Sequence, residues 1–139
     1  MILVDTNVVS EPLRKVAAPR VADWLDAQAL ETLYLSAITV AKLRFGVRAL
    51  PNGRRRNRLH EDLKRQVLPM FAGRVLAFDP AASQAYVELM AKARSAGRSI
   101  SAADSYIAAT AAANVMIVVT RDTAPFEAAG LKTVDPWAM

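Results

Sequence analysis

Three aspartates hold the chemistry this chain could do. Asp5 directly follows an apolar run at the start of the chain, Asp122 lies in Thr120-Arg121-Asp122 just past another, and Asp104 stands three residues after Ser101. Carboxylates that converge repel one another unless a cation compensates. The chain has no cysteine and a single histidine, His60, so any ligand set is built of oxygen and points to Mg2+ or Mn2+. A hard divalent ion held by acids suits phosphodiester hydrolysis, where it activates water and neutralises charge developing on the phosphate. Each acid also has a purely structural role open to it. Asp5 and Asp122 suit turns, and Asp104 suits the first turn of a helix capped by Ser101.

The elements that must position these acids follow from the apolar pattern. Ile2-Leu3-Val4, Leu33-Tyr34-Leu35, Val75 to Phe78 and Val115 to Thr120 are short, largely apolar runs, as expected of strands buried on both faces, and Lys132 to Val134, after Gly130, reads as a last strand. Between them lie helical stretches. Pro19 to Ala29 and Ile38 to Leu50 carry apolar residues at helical spacing, and the second stops at the breaker cluster Pro51-Asn52-Gly53. Asp79-Pro80 opens a helix to Gly97, Ser101 caps one through Asn114, and a short helix surrounds Phe126. Strands alternating with helices predict an α/β fold with a parallel sheet of about five strands, flanked by helices on both faces. In such sheets ligands bind beyond the carboxyl ends of the strands. Asp5 and Asp122 would project from that edge, and a helix start at Asp104 can face it.

The charge is concentrated. Arg54, Arg55, Arg56, Arg58, Lys64 and Arg65 lie between Asn52 and Gln66, opposed by Glu61 and Asp62, so this segment holds most of the net charge of +5. Leu59, Leu63, Val67 and Phe71 recur every four residues through it, which predicts an amphipathic helix with a basic leading end. Arg54, Arg55, Arg56 and Arg58 are candidate phosphate contacts, although no interleaved aromatic offers base stacking. The bland reading of the same pattern is a solvated face. His60 falls in this helix, away from the acids.

Size and composition exclude several classes. A chain of 139 residues with 53% hydrophobic and 22% charged residues has the balance of one packed domain over residues 1–139, not of a disordered or fibrous chain. Without cysteine there is no disulfide scaffold and no thiolate zinc site. The apolar start is four residues long before Asp5, too short for a signal peptide or a membrane helix, so the expected location is cytoplasmic.

Four segments, in order, resemble one known family. Met1 to Ser10, Leu35 to Ala41, Ala102 to Ala111, and Thr120-Arg121-Asp122 are similar to the four motifs of PIN-domain toxins. The spacing and the end Asp135-Pro136-Trp137 are most like the FitB branch of the VapC type. The resemblance implies a PIN-like sandwich and a ribonuclease that depends on Mg2+ or Mn2+. It also implies an RNA substrate and a homodimer paired with a ribbon-helix-helix antitoxin, in some cases in a higher assembly. The family's metal acids map onto Asp5, Asp104 and Asp122, with Thr6, Asn7 and Thr120 supporting. One position departs: the family has a glutamate after Thr-Val-Ala, and this chain has Lys42. A cation in the opening turns of a helix also opposes the helix dipole. Lys42 therefore raises a competing expectation, a PIN-fold module that binds antitoxin or nucleic acid without cutting.

Overall fold

The computed structural model describes residues 1–139. Five strands form one all-parallel sheet: β1 (Ile2–Val4), β2 (Leu33–Ser36), β3 (Val75–Leu76), β4 (Ile117–Val119) and β5 (Thr133–Val134), in the order β3-β2-β1-β4-β5. The first strand of the chain is thus the central one. It pairs Ile2 with Leu33 on one side and with Ile117 on the other. Seven α-helices accompany the strands: α1 (Thr6–Ser10), α2 (Pro19–Asp26), α3 (Ala37–Arg48), α4 (Arg54–Asp62), α5 (Pro80–Ser95), α6 (Ala102–Ala113) and α7 (Ala124–Ala128). No helix is long and apolar enough to cross a membrane.

Strand side chains alternate across a sheet, so neighbouring residues serve opposite faces. Leu3 and Val118 enter one core with Leu89, Ile107 and Phe126 from α5, α6 and α7. Val4 and Val119 enter the other, with Val8, Val21, Leu43 and Phe71 from the helical segments that cover the opposite face. Both strand positions are therefore apolar, which explains the unbroken hydrophobic runs in the sequence. The helix starts agree with their cap residues. The Ser36 hydroxyl accepts from the Thr39 N–H at 3.0 Å, the Asp79 carboxylate from Ala82 at 2.9 Å, and the Ser101 hydroxyl from Asp104 at 3.2 Å.

Several boundaries differ: α2 ends at Asp26 rather than Ala29, α3 and the last strand shift by one or two residues, and three further differences have a clear physical cause. The third strand is two residues, Val75–Leu76, not four. The basic helix α4 is regular only to Asp62; a wider π turn over Leu63–Val67 and a 3-10 turn over Leu68–Phe71 carry the chain on, and Pro69 cannot extend an α-helix there. The fourth strand begins at Ile117, because Val115 is the left-handed closure of α6.

That closure is a Schellman motif. The Met116 N–H reaches the Ala111 carbonyl at 2.9 Å and the Val115 N–H reaches Ala112 at 3.2 Å. The same pair of bonds ends α5 at Gly97 and α7 at Gly130, where glycine takes the positive φ. Val115 takes φ 54° with a branched side chain that is 90% exposed, so it carries the strain and gains no packing. Val115→Gly is expected to stabilise the protein by about 1 kcal/mol, the left-handed penalty less the entropy glycine adds to the unfolded chain. Chemical denaturation of the two proteins measures it; an unchanged or lower midpoint would refute the strain.

Candidate active site

The carboxyl edge of the sheet carries a hydrogen-bonded cluster centred on Asp5. Asp5 ends β1, where its N–H donates to the Val119 carbonyl at 3.0 Å, and it caps α1. Its side chain is 4% exposed. One carboxylate oxygen accepts the Thr6 N–H at 2.7 Å and the other accepts the Thr120 hydroxyl at 2.8 Å. Thr120 follows β4, is fully buried, and its N–H donates to Val134 of β5 at 2.9 Å. Three strands thus fix the position of one carboxylate.

Asn7 and Asp122 join through Thr120. The Asn7 amide donates to the Thr120 hydroxyl oxygen at 3.4 Å, and the Asp122 N–H donates to the same oxygen at 3.1 Å. The Asn7 carbonyl oxygen accepts the Arg121 N–H at 3.3 Å. The Asp122 carboxylate is exposed and accepts no hydrogen bond. Asp104 lies in the first turn of α6, half-buried. Its N–H is used by the Ser101 cap, but its carboxylate does not return a bond to Ser101 and has no ion-pair partner. That leaves it free for another ligand.

Electrostatics ties Asp104 and Lys42 to Asp5. Burial pushes the Asp5 carboxyl above its ordinary value; the Thr120 and Thr6 hydrogen bonds and the Lys42 charge pull it down, and the Asp104 charge pushes it further up. Lys42 is exposed on α3 and makes no ion pair within 4.0 Å, so it acts on Asp5 through space rather than by contact.

No three acidic or histidine side chains come together as a ready ion-holding group. Of the three aspartates, Asp104 lies near enough for its charge to push the Asp5 carboxyl up, and Asp122 is tied to Thr120 through its backbone N–H. The donor chemistry still fits a hard divalent cation. A buried carboxyl whose desolvation its hydrogen bonds do not offset, a second carboxylate without a partner, and oxygen donors throughout are what such an ion binds.

Two supports escaped the sequence reading. Thr39 on α3 is fully buried; its hydroxyl oxygen accepts from Thr6 at 3.3 Å and from Ser36 at 3.2 Å, tying the first turn of α1 to the first turn of α3. A β-branched residue inside a helix reads as core packing, and only the cap at Ser36 hinted otherwise. Arg121 lays its guanidinium over the Trp137 ring, 5.0 Å from the centroid, which steadies the loop between Thr120 and Asp122. That contact joins residues the sequence pattern does not relate. Of the candidate phosphate contacts, Arg54, Arg55 and Arg58 face one cleft, while Arg56 faces another and bonds Asn52.

Comparison with known proteins identifies the family. Residues 2–131 match the PIN domain. The chain is 56% identical to the VapC ribonuclease Y4jK of Sinorhizobium fredii, over 99% of this chain and 98% of that one. It is 52% identical to Toxin FitB of Neisseria gonorrhoeae, over 99% of each. The FitAcB crystal structure from Neisseria gonorrhoeae superposes with a TM-score of 0.96 at 51% identity, covering 100% of both chains. With four motifs in order on this sheet edge and relatives matched end to end, the chain belongs to the PIN-domain family, in the VapC group that includes FitB.

Proposed function

We propose that this protein is a metal-dependent endoribonuclease toxin, held in check by an antitoxin, and that Lys42 lowers its activity. The observation that carries the reading is the buried Asp5 carboxylate. It is kept at the sheet edge by two hydrogen bonds that do not offset its desolvation, beside a second carboxylate with no partner. Asp5 and Asp104 would hold Mg2+ or Mn2+, with Asp122 as the third acid. A hard divalent ion bound there supplies charge stabilisation at the phosphate and an acidified water. The chain's own residues do the positioning. Thr120 and the Thr6 N–H aim the Asp5 oxygens, Asn7 holds Thr120, and the Ser36–Thr39–Thr6 chain of hydroxyls sets α1 against α3. RNA as substrate is supported by the ribonuclease name of a relative matched over its whole length. The toxin name of another supports an antitoxin partner; the ribbon-helix-helix type of that antitoxin and a homodimeric toxin are carried over from the family resemblance alone. An acidic pocket is a natural receptor for a partner's guanidinium.

Lys42 supports the competing reading, a binding module without activity. Its charge already favours ionised Asp5 from where the family carries an acid, so part of a metal ion's electrostatic role is filled. Lys42→Glu exchanges that cation for an oxygen donor. Calorimetric titration should then give Mn2+ binding at least about tenfold tighter, with metal-dependent cleavage of RNA rising in step. Equal affinity and equal cleavage in the two proteins would clear Lys42 of any effect. RNA left intact by both proteins, at any divalent concentration, would leave the binding module as the better reading.

Asp5→Asn separates function from stability. The folded-state pKa of Asp5 lies above its ordinary value, so the ionised group costs stability. That cost is absent below the unfolded pKa and is complete once pH has risen through the folded pKa. Asp5→Asn is therefore expected to abolish cleavage in the Lys42→Glu background while raising the thermal midpoint at pH 7, with little gain near pH 3. A lower midpoint at pH 7 would mean that the hydrogen bonds outweigh burial.

A further inference from the structure

Two basic segments far apart in sequence meet across one cleft. Arg14 and Lys15 follow the short 3-10 turn (Glu11–Leu13) that leaves α1, and Arg54, Arg55 and Arg58 leave the first turns of α4. Together they line a cleft of about 510 Å3 whose one carboxylate is Asp62. Arg14 is fixed in place: its guanidinium bonds both oxygens of Glu11 at 3.2 Å, and Glu11 is 3% exposed. Arg58 approaches Asp62 only to 4.0 Å, an exposed pair of little strength. Lys15, Arg54 and Arg55 have no ion-pair partner at all.

This arrangement costs energy as it stands. The first turn of α4 has no acid and opens on arginines, where the helix dipole disfavours each cation by about 0.3–1 kcal/mol. An anion in the cleft relieves both the dipole and the mutual repulsion. The location matters as well. From Asp5, α1 and the 3-10 turn together span about 14 Å of helix and lead away from the carboxyl edge, to where Pro12 and Leu13 lie by Leu33 at the start of β2, so the cleft is set apart from the acids by about the height of the sheet.

We infer that this cleft grips the phosphodiester backbone of the RNA substrate at a distance from the cleaved bond, as a holding site for the strand that extends past the acids. The inference rests on the nuclease reading of the Asp5 site. An acidic protein segment fits less well, since a docked helix needs a row of apolar pockets and only Pro12, Leu13 and Leu59 are present among these charges. Lys15, Arg54 and Arg55 are exposed, so their replacement leaves the fold intact. Arg44, Arg48 and Lys64 line a separate groove on the other side of α4 and provide a charge-matched control.

The test measures anisotropy of a labelled short single-stranded RNA against salt, on Asp5→Asn protein without divalent ions. Binding is then read apart from cleavage and from metal. Lys15→Ala/Arg54→Ala/Arg55→Ala should weaken binding about tenfold at low salt and lower the slope of log K against log salt by about 2, at ~0.7 per phosphate contact. Arg44→Ala/Arg48→Ala/Lys64→Ala should change affinity by less than about threefold. Equal losses in both triple variants would overturn the inference, as would no loss in the cleft variant. A cleft variant that keeps RNA but loses duplex DNA or an acidic peptide would overturn it too. If the cleft variant loses RNA as expected while neither the parent chain nor its Lys42→Glu variant ever cuts it, the nuclease reading fails and the RNA-binding cleft stands.

Discussion

Everything at the carboxyl edge of the sheet depends on holding one buried carboxyl group in place against its own desolvation. Asp5 is nearly inaccessible, and burial alone would drive it toward the neutral form. The protein opposes that with two short hydrogen bonds, one from its own helix start and one from Thr120 across the sheet. Thr120 is in turn held by β5 and by Asn7. The cluster is a place where ionising the carboxyl costs folding stability, a tension common at functional sites.

The cluster explains the division of labour between the two faces. The face built by α5, α6 and α7 packs tightly, with the alanines Ala108, Ala109 and Ala111 letting α6 approach the sheet. It presents Asp104 from a well-capped helix end. The face built by α1 to α4 carries most of the cations, among them Lys42 on α3, Arg14 and Lys15 after α1, and the arginines of α4, while α5 adds Lys92 and Arg94. Acid stands at the edge from the sheet and α6, Lys42 acts on it from the other layer, and the arginine cleft lies further along that layer. A polyanion approaching that edge meets a gradient rather than a uniform surface.

Much of this was legible in the sequence, for physical reasons. Strands buried on both sides must be apolar throughout, so Ile2-Leu3-Val4 announced itself, and Ser101 and Asp79 marked helix starts because a cap must accept an N–H there. Asp5 was recognisable as the residue that ends an apolar strand with a charge. Other features had no local signature. Val115 belongs by type to a strand, and only the closure of α6 forces it into a left-handed conformation. Thr39 looks like packing until Ser36 and Thr6 are brought to it. Arg14 and Lys15 are two ordinary surface cations until the fold sets them opposite α4. The exposed orientation of the Asp122 carboxylate depends on a loop conformation stabilised by Trp137, which no spacing rule relates to it.

The sheet order has a consequence for how the chain is made. β1 precedes every other strand but lies in the centre, and the Thr120 partner of Asp5 is 115 residues later in the chain. A nascent chain that ends before β4 has one of the two neighbours of β1 and no donor for the second oxygen of Asp5. Pairing across so long a separation must close a large loop before any contact repays it, so the central strand waits until β4 has left the ribosome. The site is therefore assembled late, by the same event that completes the sheet. A partial product of translation carries the first acid without the frame that makes it useful.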